Sequence, residues 1–161
     1  MDKIEELLNN PKTDLQKQAL TDKSYKKTPN NQDCKINFEL ATYDDAILKC
    51  ALCKIYFERE NKDNFGFKGK LTEWKKQYES DEVLIKFIAR HYDILNFLNF
   101  DSGDTKKPQD YKYEDKNAKR RYKYIATAME ACIAAVYLEN SESEVIEIVK
   151  QWIQWIDESK S

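Results

Sequence analysis

Residues 126–138, Ala-Thr-Ala-Met-Glu-Ala-Cys-Ile-Ala-Ala-Val-Tyr-Leu, leave this chain few ways to fold. A helix drawn through them is apolar nearly all round between Ala131 and Val136, so a helix from about Ala118 to Leu138 has to lie inside a jacket of other helices. The rest of the chain can supply that jacket. It has 161 residues, 41% of them hydrophobic, which is enough for one core. Only three Gly and three Pro interrupt the helix formers. The expectation is an all-α fold in a single domain over residues 1–161.

Punctuation marks the other helices. A short one covers residues 2–9 and stops at Asn9-Asn10-Pro11. Thr13 to Gln16 fits a capping box and opens a helix to about Leu20. Residues 26–33 read as a loop. From Ile36 to about Arg59, Leu40, Tyr43, Ile47, Cys50, Ala51 and Ile55 recur three and four apart as one apolar stripe. Asn61 to Gly69 breaks the pattern, and a helix follows from Lys70 to Glu79. Ser80 caps a further helix through Val83–Ala89, with Asp81 and Glu82 in its first turn. A short apolar segment runs from Ile94 to Phe100. Residues 101–117 are polar and Lys-rich. Ser141 to Glu144 forms a second capping box, ahead of a last helix with Val145, Ile148, Val149, Trp152, Trp155 and Ile156 on its core face.

Charge and cysteine content narrow the function classes. A formal net charge of -2 excludes a polybasic binder, although the charge is unevenly spread. Between Lys106 and Lys123, eight basic side chains stand against three acidic ones, with Tyr111, Tyr113, Tyr122 and Tyr124 interleaved. Lys112, Lys116, Lys119, Arg120, Arg121 and Lys123 are the candidates there for contact with phosphates and exposed bases. Cys34, Cys50, Cys53 and Cys132 read as buried helix thiols, not as a disulfide scaffold or zinc site with His91, and so point to a reducing intracellular compartment. The acidic start lacks the apolar region of a signal peptide, and no apolar run is long enough to span a membrane.

Four blocks, in order, resemble the endonuclease domain of the ribonuclease III family. Ala19-Leu20-Thr21-Asp22-Lys23-Ser24-Tyr25 is similar to the family's ALTHRSY-type motif, with Asp22 in place of His. Asn37 to Leu48 resembles its NxxLExxGDAVL helix. Lys68 to Lys75 resembles its EGxLSxLR helix start, with Lys68 in place of an acid. Ala126 to Leu138 resembles its ADxxEALIGAIYLD helix. The double-stranded-RNA-binding domain that often follows in the family has no counterpart in these residues.

The resemblance implies a four-carboxylate bowl, two acids from each of two helices, holding Mg²⁺ or Mn²⁺ to activate water at a phosphodiester. Asp45 and Glu130 match two of the family acids and are the catalytic and metal-ligand candidates. Ala41 and Thr127 stand where the other Glu and Asp belong. Asp44 replaces a Gly. Two readings follow: a degenerate domain that binds structured or double-stranded RNA or pairs with another subunit in an RNA-processing or ribosomal assembly, or an active Mg²⁺-dependent double-stranded-RNA endonuclease with an altered site. The resemblance also implies a homo- or heterodimer through the helix 37–48. There Thr42 holds the place of the family's interface aromatic, and Phe38 and Tyr43 are either substitutes for it or core residues.

Overall fold

In the computed structural model of the protein, the described residues are 1–27, 29–59, 68–100 and 122–161. They form an all-α fold. Helices α1 (Lys3–Asn9), α2 (Asp14–Ala19), α3 (Asn37–Arg59) and α4 (Lys68–Glu79) come first. A composite helix follows, α5 (Asp81–Val83), a π segment (Leu84–Ala89) and α6 (Arg90–Tyr92). Helices α7 (Lys123–Glu139) and α8 (Glu142–Lys160) complete it. The one β feature among the described residues is an isolated parallel bridge, Thr21 to Asn99.

The apolar run sits where its composition requires. Ten residues of α7, from Ile125 to Val136, are buried. Helices α1, α2, α3, α8 and the π segment all touch it, and α3 does so most extensively. Small side chains on both helices, Ala41 and Ala51 on α3 and Ala128, Ala131, Ala134 and Ala135 on α7, let the two backbones approach closely. The start of α7 matches the expected Ala118 only from Lys123 on; residues 118–121 lie outside the described set.

The apolar stripe of α3 is turned from its expected phase. Tyr43 and Cys50 face solvent, whereas Ala41, Asp44, Leu48 and Leu52 join Leu40, Ile47, Ala51 and Ile55 inside. The cysteines need a matching correction. Cys132 is buried, Cys34 and Cys53 are half-buried, Cys50 is exposed, and all four are free thiols. Residues 26–33, expected as a loop, include 3-10 turns over Lys23–Lys27 and Pro29–Asn31.

Side-chain contacts between distant elements hold the helices in place. Asp2 caps α1 in a full capping box with Glu5, and its other oxygen accepts from the Tyr92 hydroxyl at 2.5 Å. That hydroxyl in turn accepts from Trp152 Nε1 at 2.9 Å, so one buried phenol joins α1, α6 and α8. Burial holds the Tyr92 phenol far above its usual range. His91 stacks on Trp155 beside it, with ring centroids 3.6 Å apart. Helix α4 is pinned by Trp74, whose ring lies 5.2 Å from Tyr56 and 4.9 Å from Tyr78. Tyr78 donates to Asp157 of α8 at 2.8 Å.

At the other end, Asp22 N donates to Asn99 O at 3.0 Å, and Asn99 N donates to Leu20 O at 2.8 Å. Asn37 N donates to Thr21 O at 2.9 Å, which fixes where α3 begins. Caps at Thr13, Ser80 and Ser141 each accept from a backbone N–H three residues on. At the first, however, the Gln16 side chain accepts from Lys12 N, so the reciprocal half of the expected box is shifted by one residue. No described helix is long and apolar enough to cross a membrane.

Replacing Tyr92 with Phe strips the Trp152 indole and Asp2 of one shared partner. The expected loss is about 1–3 kcal/mol, because a buried N–H is left unsatisfied. Urea denaturation of Tyr92→Phe against the parent measures it, and Tyr25→Phe should leave stability within about 0.5 kcal/mol.

Candidate functional site

Successive residues on an α-helix point about 100° apart. On α3 that angle separates two adjacent acids. Asp45 points outward, its side chain 67% exposed, and Lys49 one turn later reaches it with Nζ 2.9 Å from Oδ2. Asp44 points inward and is 0% exposed. Neither Asp44 oxygen has a hydrogen-bond partner among the described residues.

Burial first, then the charges of Glu130 and Asp45, push the Asp44 carboxyl well above its ordinary value of 3.8. Burial in the α3–α7 interface therefore disfavours ionisation of this carboxyl. Cys132 of α7 adjoins it: burial drives this thiol up to about 12, with a lesser contribution from Asp44.

Glu130 completes the group from α7. It is half-buried, and its carboxyl is pushed up to about 7 by burial, by Asp81 and by Asp45, against the opposing pull of Lys123 and Lys49. Asp45 of α3 and Glu130 of α7 thus act on each other electrostatically across the α3–α7 contact. The structure adds two acids that the sequence reading did not place there, Asp44 beneath and Asp81 at the start of α5. The signal for Asp44 was its register: residues 40, 44, 47, 48 and 51 share one helical face, so an acid at 44 had to be buried.

The two replaced positions contribute no anion. Ala41 is buried and has no donor atom. Thr127 spends its hydroxyl on Lys123 O, at 3.1 Å. Glu39, half a turn before Ala41, is engaged elsewhere, accepting from Gln18 Nε2 at 3.3 Å. No group of three or more His, Cys, Asp or Glu among the described residues is arranged to hold a metal ion. A hard divalent cation needs several charged oxygens converging on one point. Here one carboxylate is paired to an ammonium, one is partly protonated near neutrality, and one is sealed in the core. The donor set does not fit Mg²⁺ or Mn²⁺.

Phe38 and Tyr43 are surface residues, 59% and 51% exposed, which excludes the core reading. Tyr43 leans toward Tyr137 of α7, with centroids 6.4 Å apart. Of the RNA-contact candidates, Lys123 is exposed at the first turn of α7. Lys112, Lys116, Lys119, Arg120 and Arg121 lie outside the described residues, as does the side chain of Lys68.

Comparison with known proteins gives a consistent result. The ribonuclease-III-like family pattern matches residues 12–155. Ribonuclease 3 of Actinobacillus pleuropneumoniae is 27% identical over 127 residues, covering 79% of this chain and 51% of that protein. Ribonuclease 3 of Histophilus somni is 26% identical over 156 residues, covering 96% and 61%. The chain therefore spans about half to three-fifths of the length of these relatives. The nuclease domain of ribonuclease III from Campylobacter jejuni has the same fold, with a TM-score of 0.68, 24% identity and 94% of each chain covered. A second crystal structure of that domain, at 23% identity, gives the same TM-score of 0.68.

Two pH effects follow. Because Asp44 holds its proton in the folded state above 3.8, the unfolded chain ionises first, and stability falls as pH rises past that value. Asp44→Ala should therefore be more stable than the parent at pH 8, by about 1–3 kcal/mol, with the gain vanishing toward pH 4. Glu130 acts in the same direction between its ordinary 4.5 and about 7. Glu130→Gln should flatten that part of the stability–pH profile in urea melts.

Proposed function

The chain belongs to the ribonuclease III-like family, and from that premise we propose that it is a non-cleaving member. It grips structured or double-stranded RNA, or pairs with another subunit, within an RNA-processing or ribosomal assembly. One observation carries this reading: of the four positions that would surround a divalent ion, Ala41 and Thr127 offer no anion, and Asp45 is already paired to Lys49. Cutting a phosphodiester with a metal needs the ion held firmly beside the scissile phosphate. Two partly neutralised carboxylates supply too little charge to hold it.

RNA contact in this reading comes from the basic stretch that leads into α7, whose last member, Lys123, stands exposed two turns from Glu130. A-form RNA is read mainly through its backbone and shape, so weak base preference and strong salt dependence are expected. Pairing uses the outer face of α3, where Phe38 and Tyr43 present exposed aromatic surface. The second reading, an active endonuclease using Mg²⁺ or Mn²⁺ at an altered site, draws its support from Asp45 and Glu130, which keep the family acids on facing helices.

Incubation with long double-stranded RNA and Mg²⁺ or Mn²⁺ separates the two. No cleavage is expected. Cleavage that disappears in Glu130→Gln makes the protein an enzyme and overturns the proposal. RNA binding should weaken roughly tenfold in Lys119→Ala/Arg120→Ala/Arg121→Ala at moderate salt, with a shallower salt dependence. Equal binding by that variant removes the basic stretch from the interface.

A further inference from the structure

We propose that Lys49 and Lys123 are resident counter-ions: their ammonium groups supply, from within the chain, the positive charge that a divalent ion would bring to the surviving carboxylates. This deepens the reading that cleavage has been lost, and it rests on that reading.

The geometry comes from two helices. Lys49 follows Asp45 by one turn of α3 and sets Nζ 2.9 Å from Oδ2. The same ammonium also feels Glu79 and Glu130. Lys123 opens α7 two turns before Glu130, and its carbonyl takes up the Thr127 hydroxyl. Among the described residues, Lys123 and Lys49 act on Glu130 in the direction opposite to Asp81 and Asp45. The facing set is therefore Asp45, Glu130, Asp81, Glu79 and the buried Asp44 from the acidic side, and Lys49 and Lys123 from the basic side.

An exposed ion pair along one helix stabilises a fold very little. Its effect on an incoming cation is larger. The Lys49 ammonium, 2.9 Å from Asp45 Oδ2, cancels part of the local field, Lys123 acts in the same direction on Glu130, and each repels a divalent ion with twice the force it exerts on a monovalent one. The site is thus closed to metal in two ways, by missing ligands and by occupied charge. Only the second can be reversed without adding a carboxylate.

The test uses Mn²⁺ alone, without RNA, on the full chain at pH 8, with free Mn²⁺ read by electron paramagnetic resonance. The Lys49→Ala/Lys123→Ala variant should bind Mn²⁺ at least fivefold more tightly than the parent, and Lys49→Gln/Lys123→Gln should do the same with side-chain length kept. Adding Asp45→Asn should abolish the gain. Lys3→Ala/Lys150→Ala, which removes two lysines from exposed ion pairs elsewhere, should leave binding unchanged. A gain below fivefold in both double variants, a gain that survives Asp45→Asn, or an equal gain in the remote control overturns the proposal. Cleavage of RNA by the parent protein sinks the underlying reading instead, so the two failures are told apart.

Discussion

The close packing of α3 against α7 is the constraint on which the rest of the molecule depends. Both helices turn alanines toward the contact, and α7 is enclosed on nearly every side. Dense packing of this kind leaves little room for adjustment. Whatever α3 carries at its inward positions must be accommodated there, and at residue 44 that is a carboxylic acid with no partner among the described residues. Remaining protonated is the cheapest state for such a group, because an ionised carboxylate in an apolar interface loses its hydration without compensation. The same contact presents Asp45 and Glu130 together on the outside. The buried Asp44 carboxyl and the exterior acids are two faces of one helix pair.

The electrostatics of the exterior follow from this arrangement. Asp45 stands in water and is matched by a lysine one turn away. Glu130 sits deeper, close to Asp81 and Asp45, and holds its proton up to about 7. The two acids thus stand in different surroundings, one exposed beside a lysine and the other half-buried among acids. Among the described residues, no group of three or more His, Cys, Asp or Glu is arranged to hold a metal ion.

Much of this was legible in the residues. The all-round apolar character of Ala131–Val136 required a central helix, and the caps at Thr13, Ser80 and Ser141 marked helix starts within a residue or two. The phase of α3 was misjudged for a physical reason. Asp44 is polar and dropped out of the apolar pattern, while Tyr43 and Cys50 are apolar by type and drew the stripe toward solvent. The Tyr92–Asp2 and Tyr92–Trp152 links went unread because their partners lie far apart in sequence. The π segment at Leu84–Ala89 carries no Pro or Gly to announce it; its wider turn keeps Leu84, Ile85, Ile88 and Ala89 all facing the core. At the site, residue types showed which ligands were gone, but Lys49 as the companion of Asp45 required coordinates.

Helix α7 meets solvent through one narrow window. Along it, Lys123, Thr127, Glu130 and Tyr137 follow one another at helical spacing, while the residues between them, apart from the half-buried Tyr124, are buried. A substitution in the walled positions disturbs the core and endangers folding. A substitution in the window disturbs only surface charge and costs the fold little. Surface chemistry on this helix can therefore be rewritten one residue at a time while the architecture stays intact.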